Sequence, residues 1–416
     1  MNKQNKYQIK NIKSHQSWTD FDCISIEIEV QLRFGASGVS VAPIDLQSYF
    51  DQITNSRLEK VLIKIQLFMK MVESLLKGKA SNDQLEIDEI LEHLIKSETS
   101  NKIEKLMLAA TSMANLKAAA SANQIPLWHY ISSILNNYAV QRLPLPEVEI
   151  PKLSILNNSK HQSPDLRILP LGAESFAQAL INCSKVLKKL EAYQKSAPFL
   201  RITSALDNIV IGIERAGFKP GLDFAISLNL NSRSLNNSQK YEIPGDNIRV
   251  SGDELCGLLI DCVEKYPIAS IQDPFRTDDY VSWEHFNWAV GKRVQIINSE
   301  NLNLFCGGTQ TASASSFQNS IMIKNPNHLT MSAINNTLNA AKTAGLDSFF
   351  CPGRDSPSIS TITHLSVGLG LKQLRLHKIS SGNEALRIAN QMHSITKSQS
   401  PADGALPPKS SFFGIT

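Results

Sequence analysis

The strongest constraint on the fold is an alternation that runs through the second half of the chain. From about residue 150 onward, short apolar runs are followed by longer segments whose apolar residues recur three and four positions apart. Short apolar runs are typical of buried strands, and the longer spacing is typical of amphipathic helices. Repeated strand–helix units predict a parallel βα barrel. The strands are predicted at 167–171, 222–230, 268–271, 294–297, 320–324, 348–351 and 373–376.

The first part of the chain is organised differently. Residues 23–32 alternate apolar and polar side chains, which predicts a half-buried strand. Helical periodicity follows at 56–76, 84–96 and 103–124, and prolines at 144, 146 and 151 indicate an irregular crossing between domains. We therefore predict an α/β protein in four parts. They are a flexible N-terminal tail at 1–20, an α+β domain at 21–140, a barrel at 141–396 and a flexible C-terminal tail at 397–416.

Charge and composition exclude several classes of function. The 42 Lys and Arg nearly balance the 38 Asp and Glu, and no basic patch is interleaved with aromatics, so we expect no nucleic-acid partner. No apolar stretch approaches the roughly 20 residues that cross a bilayer, so we expect no membrane association. The six cysteines form no Cys-x-x-Cys pair, which favours buried thiols in a reducing compartment. These features predict a cytoplasmic protein.

Candidate site residues follow the predicted strands, because the chemistry of a βα barrel lies at the carboxyl ends of its strands. Most of these residues are amides or cations, and few are carboxylates; they include Asn229, Gln272, Lys324 and Arg375. Lys324 follows an apolar run, so we expect its amine to point into the mouth of the barrel. A lysine there acts either as a base or as the partner in a structural ion pair, and the sequence leaves both open.

Four short motifs, considered together in their order and spacing, resemble those of the enolase family. Residues 270–275 read Ser-Ile-Gln-Asp-Pro-Phe where the family has Ser-Ile-Glu-Asp-Pro-Phe, and 168–173 resemble its Ile-x-Pro-Val-Gly-Ala. Residues 117–128 resemble the helix and Pro-Leu-Tyr that close the family's N-terminal domain, and 35–37 are similar to its mobile Ser-Gly-Ala-Ser loop. The resemblance covers roughly residues 24–395. It implies an enolase-type βα barrel preceded by an α+β N-terminal capping domain.

The resemblance also implies a metal site, since enolases dehydrate 2-phosphoglycerate to phosphoenolpyruvate with a lysine base and one or two Mg²⁺ ions. The family's three carboxylate ligands fall on Asn229, Gln272 and Glu300, with the last alignment open by one residue. Two of the three carboxylates are thus replaced by neutral amides of the same shape. Because Mg²⁺ prefers anionic oxygen ligands, we expect its binding to be weak or lost.

Other family positions are preserved unevenly. By resemblance, Lys324 falls on the general base, Arg375 on a second lysine that contacts the substrate carboxylate, and Asp165 on a glutamate near the proton donor. The loop that carries the proton-donor glutamate is shortened between 198 and 209 and contains no glutamate. The resemblance implies four further substrate-binding positions, at Arg354, Ser356, Lys160 and Ser37.

These substitutions favour an enolase-like pseudoenzyme that acts by binding a small anionic metabolite or by protein association, as a homodimer or as a heterodimer with a true enolase. Two enzymatic alternatives stay open. One is ordinary phosphopyruvate hydratase activity in glycolysis. The other is a related proton abstraction on a different anionic substrate, with Lys324 and Asp165 as acid–base groups. Asp273, Asp278 and Asp279 would then be spare carboxylates, although anchoring a loop and starting a helix explain them equally well.

Overall fold

The computed structural model describes most of the chain in two compact units. The described residues are 6–20, 23–44, 55–95, 102–135, 142–151, 164–194, 202–232, 240–243, 248–299, 317–324, 329–352, 359–376, 383–397 and 405–407. The first unit comprises Met1–Tyr138, Lys324–Thr337 and Pro352–Leu369, and the second comprises Ala139–Ile323, Leu338–Cys351 and Gly370–Thr416. Two segments from the barrel half of the sequence therefore group with the N-terminal unit.

The first unit contains a three-stranded antiparallel sheet and helices packed against it. The strands, in the spatial order β1-β2-β3, are β1 (Ile9–Asp20), β2 (Cys23–Leu32) and β3 (Ser37–Ile44). The helices are α1 (Asn55–Leu76), α2 (Gln84–Ile95), α3 (Lys102–Asn123) and α4 (Leu127–Ile134). The alternation predicted for β2 is confirmed, because Ile26, Ile28 and Val30 are buried while Glu27 and Glu29 are partly exposed.

The assignment of 1–20 to a flexible tail is wrong for Ile9–Asp20. These residues form β1, which pairs with β2 along its whole length, from Ile9 opposite Leu32 to Asp20 opposite Cys23. Along this strand only Ile9 and Ile12 are buried apolar residues. An edge strand held mainly by backbone hydrogen bonds has no apolar alternation to detect, which is why its sequence resembles a solvated segment.

The second unit contains a closed eight-stranded barrel, as predicted. The strands are β4 (Leu145–Glu149), β5 (Asp165–Leu169), β6 (Ala225–Asn229), β9 (Ile268–Gln272), β10 (Gln295–Ile297), β11 (Ser320–Lys324), β12 (Asp347–Cys351) and β13 (Gln373–Leu376). Their spatial order around the barrel is β10-β11-β12-β13-β4-β5-β6-β9. A separate two-stranded sheet is formed by β7 (Tyr241–Ile243) and β8 (Ile248–Val250).

The barrel differs from the prediction in two strands. The proline-rich segment interpreted as an irregular crossing contains β4, a fully buried strand parallel to β13. Pro146 is tolerated there because the pairing of β4 with β5 begins only at Val148. At position 146, β5 therefore offers no ladder partner that would require the N–H that proline lacks. In addition, β5 runs antiparallel to both β4 and β6, so the barrel is not wholly parallel.

The remaining helices alternate with the barrel strands, as the repeated strand–helix pattern predicts. They are α5 (Phe176–Gln194), α6 (Ile202–Arg215), α7 (Gly252–Lys265), α8 (Tyr280–Val290), α9 (Met331–Thr343), α10 (Ile359–Gly368) and α11 (Asn383–Lys397). Helix α7 begins with a capping box, since Ser251 Oγ accepts from Glu254 N at 3.2 Å and Ser251 N donates to the Glu254 carboxylate at 2.7 Å. Among the described helices, none combines the length and the apolar character needed to cross a bilayer.

The C-terminal segment is not entirely a tail. Ala405 forms a β-bridge with Ser175 and accepts a hydrogen bond from Leu143 N at 3.1 Å. Leu406 is buried beside it. The residues at 405–407 therefore pack on the second unit, although nothing in their composition indicates periodic structure.

Candidate functional site

Three of the predicted site residues lie side by side at one end of the barrel. In the sheet register, Asp165 lies opposite Asn229, and Asn229 lies opposite Gln272. Asn229 and Gln272 are the last residues of β6 and β9, whereas Asp165 is the first residue of β5. Because β5 is antiparallel, its first residue reaches the same barrel end as the last residues of its neighbours. The barrel thus brings these three positions together.

Both polar atoms of the Asn229 side-chain amide form hydrogen bonds. Its Nδ2 donates to Asp165 Oδ2 at 3.1 Å, and its Oδ1 accepts from Asn231 N at 3.1 Å. Asn231 has a left-handed backbone, with φ of 50°, a conformation that Asn adopts more readily than most residues. The Asp165 carboxylate also accepts from Arg167 Nη2 at 3.2 Å, and its side chain remains 35% exposed. Asp165 is therefore held in place without being sealed from solvent.

Gln272 accepts a hydrogen bond from a buried cation. Arg375 Nη1 donates to Gln272 Oε1 at 2.6 Å, and Gln272 Nε2 donates to Asp273 Oδ2 at 3.0 Å. The Arg375 side chain is 1% exposed and lies over the Phe349 ring, with Cζ 5.2 Å from the ring centroid. Arg375 is therefore directed into the barrel interior, where the resemblance implied a contact with substrate carboxylate.

Glu147, on β4, is the counter-ion of Arg375. Its carboxylate accepts two parallel hydrogen bonds at 3.0 Å from Arg375 Nε and Nη2, the bidentate geometry that suits a guanidinium. Ser227 Oγ and Gln373 Nε2 complete the set at 2.6 and 2.9 Å. Burial alone would raise the pKa of Glu147, but the charges of Arg375 and Arg167 outweigh it and lower that pKa to about 2. The residue is a fully buried, ionised carboxylate.

Arg167, on β5, is the second buried guanidinium of the barrel. Burial and repulsion from Arg375 lower its pKa, whereas Glu147 and Asp165 oppose that shift. Its Nη2 bonds Asp165, and its Nε lies 4.0 Å from Glu147 Oε1. Within the described ranges, Arg167 Nε and Nη1, and also Ser270 Oγ on β9, have no hydrogen-bond partner in the protein. Ordered water is the usual partner of such groups.

Asp273 anchors the loop that follows β9. Its carboxylate accepts from Ser299 N and Ser299 Oγ, both at 2.8 Å, and the side chain is fully buried. Its backbone is left-handed, with φ of 47°, which is uncommon outside glycine and costs about 1–3 kcal/mol. Asp279 caps α8 by accepting from Ser282 N at 3.2 Å, and Asp278 pairs with Arg276 at 2.9 Å. These contacts give all three aspartates structural roles.

The other predicted site residues are less informative. Lys324 is the exposed last residue of β11, and Ser37 is the partly exposed first residue of β3 in the first unit. Glu300, Arg354, Ser356 and Lys160 lie outside the described residues. Their predicted roles in metal or substrate binding stay predictions.

The described ligand positions do not fit a Mg²⁺ ion. Both are neutral amides, and their oxygens already accept from a backbone N–H at Asn229 and from a guanidinium at Gln272. A dication placed on Gln272 Oε1 would compete with the charge of Arg375, without an anionic ligand from either residue to offset the repulsion. Across the described ranges, no three His, Cys, Asp or Glu side chains are clustered so that they could hold a metal ion.

Sequence reasoning missed Glu147 and Arg167, the two charges that organise the interior. Glu147 lies between prolines that indicate a crossing, and no pattern in its segment predicts that it is buried. Arg167 lies between apolar residues of β5, a strand whose other charged residue is Asp165 at its first position. That position was the available signal, because a charge in a buried strand requires a buried partner.

A closed barrel of eight strands, with polar side chains gathered where several strands end, places this chain in the TIM-barrel class. Residues 143–400 match the family model described as enolase, C-terminal TIM barrel domain. That match covers more than half of the chain, so the protein belongs to the enolase family. Members of this family generally depend on Mg²⁺.

Proposed function

We propose that this protein is an enolase-family pseudoenzyme that has lost magnesium-dependent dehydration of 2-phosphoglycerate and acts by associating with other proteins. The observation that carries the proposal is the 2.6 Å hydrogen bond from Arg375 Nη1 to Gln272 Oε1. It directs a fixed positive charge at the oxygen that would otherwise face a metal. The guanidinium is neutralised by Glu147 and belongs to the barrel interior.

The chemical argument concerns the intermediate of the enolase reaction. Removing a proton beside a carboxylate creates a doubly charged enediolate, which the family stabilises with metal ions. Removing a preorganised electrostatic stabiliser costs about 10²–10³ in rate for each group. Here two ligand charges are absent, and Arg375 is held away from solvent by Glu147. The loss therefore involves several stabilising groups at once.

A second candidate function uses the groups that remain accessible. Asp165 is partly exposed and Lys324 is exposed, so both retain access to a ligand. Binding of a small anion would draw on Lys324, and proton abstraction on an anionic substrate other than 2-phosphoglycerate would draw on Lys324 and Asp165 as acid–base groups. Association with a second copy or with a true enolase belongs to the main proposal.

The test combines turnover with metal binding on the purified full-length chain. Conversion of 2-phosphoglycerate is followed by the absorbance of the enol product during a Mg²⁺ titration, and thermal unfolding is recorded at each concentration. We expect no turnover and no magnesium-dependent rise in Tm. Magnesium-dependent turnover by the unmodified chain would overturn the proposal.

Two variants locate the cause of the loss. The triple variant Asn229→Asp/Gln272→Glu/Arg375→Lys restores both carboxylates and removes the guanidinium that contacts position 272, so its Tm should rise with Mg²⁺. The double variant that keeps Arg375 is the matched control, because its new glutamate should pair with the arginine and remain insensitive to the metal. Equal magnesium responses in both variants would show that Arg375 does not block the site.

A further inference from the structure

Helix α1 exposes a row of apolar side chains that the described residues leave uncovered. Ile63, Leu67, Met71 and Leu75 are 56%, 62%, 41% and 43% exposed. They recur every fourth residue, so they form one ridge along the helix, about 18 Å long at 1.5 Å per residue. We call these four residues the α1 ridge.

The opposite face of α1 already supplies the helix with its core contacts. Ile65, Met69, Val72 and Leu76 are buried in the apolar core of the first unit. An amphipathic surface helix normally places polar residues on its outer face. The α1 ridge is therefore surplus to folding, and contiguous exposed apolar surface of this kind is typical of interaction sites.

Lysines flank the α1 ridge. Lys64 and Lys70 lie three positions before and after Leu67, so they are on opposite sides of it, and both are exposed. Lys60 and Lys77 add two further exposed positive charges near the two ends. Glu59 and Glu73 are the only acidic residues in 58–77, and the Glu73 carboxylate accepts from Ile12 N at 3.3 Å. The surface around the ridge is thus predominantly basic.

We propose that the α1 ridge binds an acidic amphipathic helix of a partner protein. This inference rests on the proposed function, since it specifies how the protein would associate. Residues four apart form the ridges that interdigitate when two helices pack, and the lysines on both sides match acidic residues beside the partner's apolar stripe. A second copy of α1 fits less well, because its lysines would face these lysines. A lipid surface also fits less well, because lysines on both sides of Leu67 leave a narrow apolar strip instead of a broad inserting face.

The probe is a designed amphipathic helix of about 20 residues, long enough to form four or more turns, with leucines along one stripe and glutamates beside it. A second peptide replaces each glutamate with lysine. Binding to the full-length chain is measured by fluorescence anisotropy at low and moderate salt. We expect the acidic peptide to bind and the basic peptide to bind at least about tenfold more weakly.

Variants assign the binding to the ridge. Leu67→Ser should weaken binding of the acidic peptide about tenfold with an unchanged Tm, because Leu67 is exposed. Leu386→Ser is the matched control, since this leucine of α11 is 57% exposed and lies on the second unit. Lys64→Glu/Lys70→Glu should reverse the preference between the two peptides.

Several outcomes would overturn the inference. They are absence of binding by both peptides, equal binding by both, or equal effects of Leu67→Ser and Leu386→Ser. Leu67-dependent binding to vesicles containing phosphatidylserine, without peptide binding, would identify a lipid surface instead. Leu67-dependent self-association in sedimentation, again without peptide binding, would identify a second copy. The proposed function fails separately, through magnesium-dependent turnover, which these binding measurements do not monitor.

Discussion

The buried pair of Glu147 and Arg375 can be tested by Glu147→Gln, which keeps the volume of the side chain and removes its charge. In the native barrel this carboxylate accepts from Ser227, Gln373 and two nitrogens of Arg375. The variant leaves two buried guanidinium groups, those of Arg375 and Arg167, without their shared counter-ion. It also turns an amide N–H₂ toward donors that require an acceptor.

Two independent considerations give a similar magnitude for the destabilisation. Breaking a buried ion pair by removing one partner typically costs about 3–5 kcal/mol. The fall in the pKa of Glu147 from 4.5 to about 2 corresponds to about 3 kcal/mol of preference for the ionised form in the folded protein. Either value is a large fraction of the stability of an ordinary domain, about 5–15 kcal/mol. We therefore expect a loss of about 3–5 kcal/mol at pH 7.

The loss of stability caused by Glu147→Gln should be greater at neutral pH than in acid. The folded-state pKa of Glu147 lies below its value in the unfolded chain, so the stabilisation is fully present above about pH 4.5 and disappears as the pH falls toward 2. Urea unfolding of the native chain and the variant between pH 2 and 7 gives the difference in free energy of unfolding at each pH. That difference should be greatest near neutrality and shrink in acid.

Glu264→Gln is the control, because this glutamate also pairs with an arginine, Arg293, but on the exposed surface. Exposed pairs contribute little, so the control should unfold nearly as the native chain does. The reasoning is refuted if Glu147→Gln is as stable as the control. It is equally refuted if the difference from the native chain does not change between pH 2 and 7.

Two further predictions concern the first unit. Gly38→Ala should destabilise the protein by about 1–3 kcal/mol in thermal unfolding, because an added Cβ would overlap Ala114 O and Ala118 N of α3. The control is Gly257→Ala on α7, where an added Cβ meets open space, and this variant should be neutral or stabilising in the same assay. Asp88 is buried, which raises its pKa to about 6 although its hydrogen bonds, including one from Ser332 N, oppose the shift. Since the folded-state pKa of Asp88 is raised, the stability of the native chain relative to Asp88→Asn should fall by up to about 3 kcal/mol as the pH rises from 4 to 7. A difference in the free energy of unfolding in urea that does not change with pH would contradict this.

The barrel was predictable because most of its strands are short apolar runs between amphipathic helices. That alternation predicts every barrel strand except β4, whose prolines and glutamates are typical of an exposed crossing. The antiparallel direction of β5 could not be predicted, since buried strands have the same apolar pattern in either direction. At the N-terminus, β1 could not be predicted because its pairing with β2 relies on backbone groups that every sequence carries.

The candidate site was predictable as a set of positions and not as a set of contacts. The positions of Asn229 and Gln272 follow from the carboxyl ends of the predicted strands, Asp165 follows from the family resemblance, and the structure brings the three together. The contacts of the Arg375 side chain could not be predicted, because its orientation depends on the position of its counter-ion, Glu147. Glu147 is 228 residues away along the chain, and only the closed barrel places the two side chains in contact.

The contact between Arg375 and Gln272 implies that the two residues are energetically dependent on each other. A glutamate at position 272 would give Arg375 a second carboxylate beside Glu147, whereas the neutral amide accepts a hydrogen bond from Nη1 and leaves the pairing with Glu147 intact. Arginine suits this arrangement because its planar group can engage Glu147 through two nitrogens and Gln272 through the third. Lysine offers one nitrogen and cannot reproduce that geometry. The effects of Gln272→Glu and Arg375→Lys on stability should therefore not add, and a double-mutant cycle that gives no coupling energy would show that the two substitutions are independent.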